Sequence, residues 1–478
     1  MTLPGLEARR RLAAILAALA CGVAAPAMAD DVPWAERAIT EHVDQSALKG
    51  TLDRETLLDL IDKGEKLFTA KFTELDGAGR KMATQAIIPT KRKRAPDAAF
   101  QRIAGMDANA CSSCHSQPVI GGAGDFTVNV FVNEGFTNAD FDTVDPQFSN
   151  ERNTNHLMGA GLVELVAREM SDDLQAIRRD ALKKALEAGE PVTAALVSKG
   201  VSFGKITAEP DGILDISGID GVDTDLVIRP FSQKGVMTSL RQFAVNAMNQ
   251  HHGMQAEERF GARWTGEDDF DEDGHAGELT DGDISALVAW QATLPPPIRV
   301  TPQNEAWRNA ADAGSATFDA IGCNSCHIRA LPLSSLEFAD PGPLDAAGTL
   351  RDGEIEGAVY DLALTEWAET LERDADGNYL VPLFGDLKRH VMTDRQVAAL
   401  GNELLAQRFV ERNQFQTAEL WGIGSTAPYG HRGDFTTLDG VIRAHGGAAR
   451  PARDAYLDLA DTERSALVAF LKTLEIPQ

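Results

Sequence analysis

The sequence predicts a mainly α-helical protein built from two related halves, with inserted loops and a small β element. Three observations predict it: the length, an ordered internal repeat, and an amphipathic helix closing each half. The 478 residues are 43% hydrophobic, enough for two cores of ordinary size. In the repeat, four segments recur in the same order. Gly64-x-x-x-Phe68 is answered by Gly314-x-x-x-Phe318, and Thr154-x-x-Leu157-x-Gly159-x-Gly161 by Thr417-x-x-Leu420-x-Gly422-x-Gly424. Phe231-x-x-Lys234-Gly235-x-x-Thr238-Ser239-Leu240 is answered by Tyr429-x-x-Arg432-Gly433-x-x-Thr436-Thr437-Leu438, and Ser285-Ala-Leu-Val-Ala-Trp290 by Ser465-Ala-Leu-Val-Ala-Phe470. Four ordered matches are the pattern left by duplication of one unit.

The last pair reads as a closing helix, opened by Asp281 or Asp461 and stopped in the first half by Pro295-Pro296-Pro297. That proline run divides the chain into an N-terminal unit with insertions, 30–297, and a C-terminal unit, 298–478. Unequal spacings locate the insertions. Residues 171–189 read as an extra helix capped by Ser171 and ended by Gly189, and the Gly- and Asp-rich stretch 201–229 as a small hairpin element.

Residues 1–29 have the parts of a secretory signal: Arg9-Arg10-Arg11, an apolar run from Leu12 to Ala24, and Ala27-Met28-Ala29 as the cleavage site. The competing reading makes Cys21 a lipoprotein anchor, but Ala18-Leu19-Ala20 fits a lipid-attachment box poorly. The expectation is a periplasmic protein without a transmembrane segment. A formal net charge of -27 argues against nucleic acid and favours basic protein partners.

The other four cysteines form two runs, Cys111-Ser-Ser-Cys114-His115 and Cys323-Asn-Ser-Cys326-His327. Two cysteines about one helical turn apart can both reach the vinyl groups of a haem, and the adjacent His can bind its iron. A structural zinc site or a redox dithiol would also use Cys-x-x-Cys, but neither requires His immediately afterwards. Two covalently bound haem c groups are therefore expected, one in each of two cytochrome c-like units. In that fold the first and last helices pack through aromatic contacts, which would pair Phe68 with Trp290 and Phe318 with Phe470.

The repeat also compares the second axial ligands. His445 follows His431 by fourteen residues, and its counterpart in the first half is Ala247. Haem 2 is then closed by His327 and His445, while haem 1 has only His115 fixed. One helical turn beyond Ala247 come His251 and His252, able to ligate that iron or act on a bound ligand. His156 and His390 are competing ligands; His42 and His275 are weaker ones.

These residues resemble the di-haem oxidoreductase family, distantly related to bacterial di-haem cytochrome c peroxidases and the methylamine-utilisation di-haem enzyme. The resemblance runs from about Leu67 to the end. It rests on the first haem motif with Pro118 and Gly121-Gly122, on Gln250-His251-His252-Gly253-Met254, on Ala427-Pro428-Tyr429-Gly430-His431-Arg432-Gly433, and on Ala444-His445-Gly446-Gly447. It implies that His431 lies near haem 2 and that His445 stands where the peroxidases have a ligating Met, which would lower the reduction potential. It also implies that Gln242 and His252 stand at the distal Gln and Glu positions, and that Ser232 replaces the Trp between the haems.

Asp269-x-Asp271-x-Asp273-Gly274 resembles the start of a calcium loop. Its twelfth position is Thr280 rather than Glu, so Glu278 or Asp281 would have to complete a shorter loop. Related peroxidases also bind calcium.

The leading functional expectation is an oxidoreductase in which haem 2 relays electrons to haem 1. Haem 1 would reduce peroxide or another small oxidant, with Gln242, His251 and His252 on its distal side. The redox partner would be a small cytochrome or cupredoxin. The alternatives are a non-catalytic carrier with two bis-His haems, or oxidative modification of an organic or protein substrate.

Overall fold

The computed structural model describes residues 34–79, 82–83, 91–93, 110–125, 127–129, 151–345, 350–351, 353–403 and 407–478. The signal segment and Cys21 lie outside the described residues. The described chain is mainly helical with a minor β component.

Each half is organised by one pair of crossed helices. Arg54–Thr69 is capped by Asp53, whose side chain accepts from the Thr56 N–H, and it buries Leu57, Leu60, Gly64, Leu67 and Phe68 along one face. It crosses Asp281–Thr293, which opens on a reciprocal cap between Thr280 and Asp283. A Cβ at Gly64 would lie 2.0 Å from the carbonyl oxygen of Ala286. Only glycine therefore lets the two backbones meet. The second half repeats this arrangement: Glu305–Ala320, capped by Asn304, crosses Asp461–Leu471, and a Cβ at Gly314 would lie 1.9 Å from the Ala466 carbonyl oxygen. Ala286 and Ala466 are matched positions of the sequence repeat.

The expected aromatic pairs form at both crossings. Phe68 and Trp290 have ring centroids 4.2 Å apart, and Phe318 and Phe470 have theirs 5.6 Å apart.

The expected inserted helix is longer than its sequence signals suggest. It runs from Ala160 to Ala188 and does end at Gly189 in a left-handed conformation, but Ser171 is no cap. Ser171 is buried mid-helix, where its hydroxyl donates to the Ala167 carbonyl and accepts from the Ile228 N–H. Burial reverses the meaning of the residue: its oxygen secures a neighbouring segment rather than a helix end. The small β element is present as Val192–Ser198 paired with Val201–Ala208, which in turn pairs with Leu214–Asp215. Its tight turn sits at Lys199 and Gly200, both at positive φ, which matches the twist of the flanking strands.

Residues beyond Pro295–Pro297 also pack on the first half. Leu331, Leu333, Phe338, Tyr360, Val381 and Leu383 share one core with Leu60, Phe68, Leu162 and Trp290, while Phe318, Tyr456, Leu467 and Phe470 form a smaller second core. Strand Ala358–Asp361 lies between Glu337–Asp340 and Gly50–Thr51, pairing with the latter in parallel. Hydrophobic contact is thus continuous across the proline run. Among the described residues, no helix is long and apolar enough to cross a membrane.

The matched crossings generate a prediction. Gly64→Ala and Gly314→Ala should each lower unfolding free energy by about 2–3 kcal/mol, the cost of forcing a methyl into a filled contact. Chemical denaturation measures it; a neutral effect at either glycine would disprove the backbone contact there.

Candidate functional site

Both cysteine motifs sit in single tight turns. Cys111–Cys114 is one helical turn, and the His115 N–H donates to the Cys111 carbonyl at 3.0 Å. In the second motif the His327 N–H donates to the Cys323 carbonyl at the same 3.0 Å. All four thiols are free. Burial raises the pKa of Cys111 to about 12, and those of Cys114 and Cys323 to about 11, so these thiols stay protonated. Neutral thiols suit addition across vinyl groups and suit zinc poorly. No group of metal-ligating atoms joins the two pairs among the described residues.

A second imidazole lies near each motif histidine. His327 is held at a pKa of about 4 by burial, and the next contribution is the charge of nearby His445. His115 is likewise held at about 4 by burial, with the charge of nearby His251 adding to the effect. Burial also lowers His251, to about 4, and His445. All four rings are therefore neutral near pH 7, the state in which a ring nitrogen can bind iron. The Nδ1 of His327 donates to the Phe384 carbonyl at 3.1 Å and that of His445 to the Val441 carbonyl at 2.8 Å, which leaves Nε2 of each ring as the nitrogen that could bind iron. The donor set fits a haem at each motif.

The first-half imidazole is held differently. The helix Leu240–Ala247 ends at the Ala247 that corresponds to His445, and the chain continues in a wider π-turn, Met248–His252, closed by Gly253 in a left-handed conformation. His251 lies on that turn, and its Nδ1 has no hydrogen-bond partner. His252 instead packs edge-on against Phe72 at 5.4 Å between centroids, with Nε2 3.8 Å from the Cys111 sulfur. Gln242 is buried, and its Oε1 accepts from both the N–H and the hydroxyl of Thr238. The amide therefore braces the start of this helix.

That helix start is fixed by buried charges which sequence reasoning missed. Arg241, 1% exposed, donates to Glu258 at 2.8 Å, to Asp340 at 3.0 Å and to the Ser285 hydroxyl at 2.8 Å. Tyr360 adds a hydrogen bond to Asp340, Ser239 contacts Asp345, and Glu164 accepts from the Leu240 N–H at 2.7 Å. These partners are scattered from residue 164 to residue 360, so no local motif announces them.

His431 sits where the two halves meet. Its ring packs on Phe415 at 4.5 Å, and its backbone carbonyl accepts from the Asn153 N–H. Its Nε2 lies 3.6 Å from Glu403, whose carboxylate is already committed to Arg152 at 2.6 Å and Lys234 at 3.4 Å. Burial, with the positive charges of Arg152, Lys234 and Arg432, lowers the His431 pKa to about 3. Lys234 is fully buried and donates to the carbonyls of Glu411, Arg412 and Gln414. Its match to Arg432 in the repeat was the available sequence signal.

The other histidines have partners of their own. His156 bonds the Trp421 carbonyl through Nε2, and His42 pairs with Asp283 at 2.6 Å. His390 pairs with Asp386 at 2.8 Å; burial opposes its charge, but hydrogen bonds to Asp386 and Cys326 raise its pKa to about 10. A protonated ring is no iron ligand. His275 donates its backbone N–H to Asp273.

The acidic loop is assembled. Oxygens of Asp269, Asp271 and Asp273 lie within 4.8 Å of one another. Burial, then the charges of Asp273 and Asp269, push Asp271 up to about 7, and burial and the same carboxylates raise Glu278 well above its usual range. Asp281 is engaged by Arg263 at 3.0 and 3.1 Å.

Comparison with known proteins agrees with this chemistry. Residues 369–474 match the family described as "Di-haem oxidoreductase, putative peroxidase". A cytochrome-c peroxidase of Denitromonas iodatirespirans, IdrP2, is 37% identical over 156 residues, 32% of this chain and 36% of that protein; the match thus spans about a third of the relative's length. Among solved structures, Kuenenia stuttgartiensis hydrazine synthase pressurised with xenon aligns over 91% of this chain and 99% of its own at 14% identity and a TM-score of 0.32. A MauG-like protein associated with microbial copper homeostasis aligns over 56% and 76% at 16% identity and a TM-score of 0.25. Neither superposition is close enough to argue from. The chain is a relative of the di-haem oxidoreductases and cytochrome c peroxidases.

Two outcomes follow from the buried charges. Arg241→Met should destabilise the protein by about 3–5 kcal/mol, because it strands two buried carboxylates; a loss under 1 kcal/mol in urea unfolding would contradict the network. The lowered His431 pKa gives the second. This ring is neutral when folded but protonates near 6.5 when unfolded, so its contribution is complete above pH 6.5 and is lost as pH falls towards 3. Stability should fall by up to about 1.4 kcal/mol per pH unit on its account between pH 6 and 4, and His431→Gln should flatten that slope.

Proposed function

We propose that this relative of the di-haem oxidoreductases is an exported, periplasmic enzyme carrying two covalent haem c groups. Cys323, Cys326, His327 and His445 would hold one haem, which would supply electron relay, and Cys111, Cys114 and His115 would hold the other, which would supply the iron for reduction of peroxide or another small oxidant. The observation that carries this reading is the unequal anchoring of the two facing imidazoles. His445 is fixed by the Val441 carbonyl, whereas His251 stands on a π-turn with Nδ1 unbonded.

Haem c supplies the one-electron chemistry at iron. The chain's residues divide the labour around it. His115 and His327 would each offer a neutral nitrogen to iron. The Val441 carbonyl that accepts from His445 Nδ1 keeps this ring in place, as a fixed iron ligand would require. His251 has no such restraint and can withdraw to admit a small ligand, after which it can carry a proton. His252, beside Cys111, would supply a second group for acid-base work, and Gln242 braces the helix that leads into the turn carrying both histidines. His431, kept uncharged between Arg152, Lys234 and Arg432, lies where the halves meet. A net charge of -27 suits a basic small cytochrome or cupredoxin as donor.

The second reading, a carrier with two bis-His haems, is favoured by the symmetry of the imidazole pairs, His115 with His251 and His327 with His445.

Haemochrome assay and intact mass should give two haems per chain. In ferric electron paramagnetic resonance, His445→Ala should convert one low-spin signal to high spin. Peroxide should oxidise the reduced wild type rapidly, and His252→Ala should slow that step about 100-fold. Two invariant low-spin signals and no reaction with peroxide would establish the carrier instead.

A further inference from the structure

We propose that the centre built on His327 and His445 has the lower reduction potential of the two, because backbone carbonyls hold both of its imidazoles and neither imidazole at the His115 centre, and that Phe384 is a positioning residue for this difference. This order rests on the reading that each motif carries a haem c, and it adds the direction in which electrons run. A ring whose Nδ1–H donates to an oxygen gains electron density at Nε2, and the more basic nitrogen favours ferric over ferrous iron. His327 and His445 both donate in this way, at 3.1 and 2.8 Å. The Nδ1 atoms of His115 and His251 are both buried and both without a hydrogen-bond partner. Ring charge does not separate the centres, since burial keeps all four imidazoles neutral. Near His327, the Asp386 carboxylate and the protonated His390 ring, paired at 2.8 Å, offset one another in charge.

The contrast at the motif histidines is between matched backbones. Leu420 answers Leu157 in the repeat; the Leu420 N–H donates to the Leu383 carbonyl at 3.1 Å, and the Leu157 N–H to the Gly121 carbonyl at 2.7 Å. Phe384 and Gly122 are the next residues on each side. The Gly122 backbone, with that of Asn155, approaches His115 but completes no hydrogen bond with Nδ1. Phe384 does complete one with His327, and its own conformation is unusual: φ is +54°, in the left-handed region that an aromatic residue rarely enters. Packing and backbone bonds hold it there. Its ring, 7% exposed, stands 6.2 Å from Phe318 and 6.1 Å from Phe470, the aromatic pair of the second helix crossing. Its N–H donates to the Arg329 carbonyl at 3.3 Å, and the Gly385 N–H to the Ile328 carbonyl at 3.0 Å. Strain that surrounding packing maintains tends to sit at functional positions, and here the strained residue carries the oxygen bonded to a motif histidine. An electron arriving at the His327–His445 centre then runs downhill to the His115 centre. One electron leaves the first couple and enters the second; no bond breaks and no proton moves.

The test is a spectroelectrochemical titration of the full haem-loaded protein, with optical and electron paramagnetic resonance signals followed together. His445→Ala assigns the couples, since its altered signal marks the second haem. In the wild type the His327–His445 couple should be the harder to reduce by at least about tenfold in electron partition, which is about 59 mV for a one-electron couple. Phe384→Ala removes the ring and disfavours the left-handed backbone, whereas Phe384→Gly removes the ring but adopts that backbone freely. Phe384→Ala should therefore ease reduction of this couple by about threefold in partition, and Phe384→Gly by less, with the His115 couple unmoved in both. A role in packing alone would shift the two variants alike. Equal potentials in the wild type, or the opposite order, would overturn the assignment even with both haems in place. Equal shifts in the two variants, or none, would overturn the part given to Phe384. Fewer than two haems per chain by haemochrome assay would sink the reading of the motifs, and the order of potentials with it.

Discussion

Everything near the two cysteine motifs depends on a helix crossing so close that one backbone rests on the other. Gly64 admits the Ala286 carbonyl and Gly314 admits the Ala466 carbonyl. That approach brings Phe68 onto Trp290 and Phe318 onto Phe470, and it sets where the first helix of each half delivers the chain to its motif. In the second half the motif follows three residues after Ala320. The same contact recurs in both halves, and a methyl group at either glycine would separate the pair.

On this common frame, low polarity around the imidazoles does the chemical selection. Burial keeps His115, His327, His251 and His445 uncharged, and what distinguishes them is the atom behind each ring. A carbonyl behind His327 and another behind His445 define one rigid pair. The π-turn after Ala247 brings an imidazole to the corresponding place in the first half without that restraint. The turn is in turn tied to Gly79 and, through Gln255, to the acidic loop. One pair of imidazoles is thus anchored by backbone carbonyls, whereas the Nδ1 of His251 has no such anchor.

The halves are joined by polar and apolar means together. Residues 331–383 enter the larger core. Arg152, Lys234, Glu403 and His431 form a buried charged cluster around Phe415, with Lys234 3.8 Å from the ring centroid. Full satisfaction of Lys234 by three carbonyls and a carboxylate explains how a lysine is tolerated at zero exposure.

The sequence by itself determined the two Cys-x-x-Cys-His motifs, the paired closing helices and their aromatic partners, because these depend on spacing within a turn or along one helix face. It also located the acidic loop and the His251–His252 pair. Only the tertiary structure decided that His251 lies near His115 while His252 packs against Phe72, since a π-turn alters the face a residue presents. It likewise made Ser171 an interior contact rather than a cap, engaged Asp281 with Arg263, and gathered Arg241, Asp340 and Glu258 into one network. Each of those outcomes rests on a partner far away in the chain, and burial by distant segments leaves no periodic trace in the residues themselves.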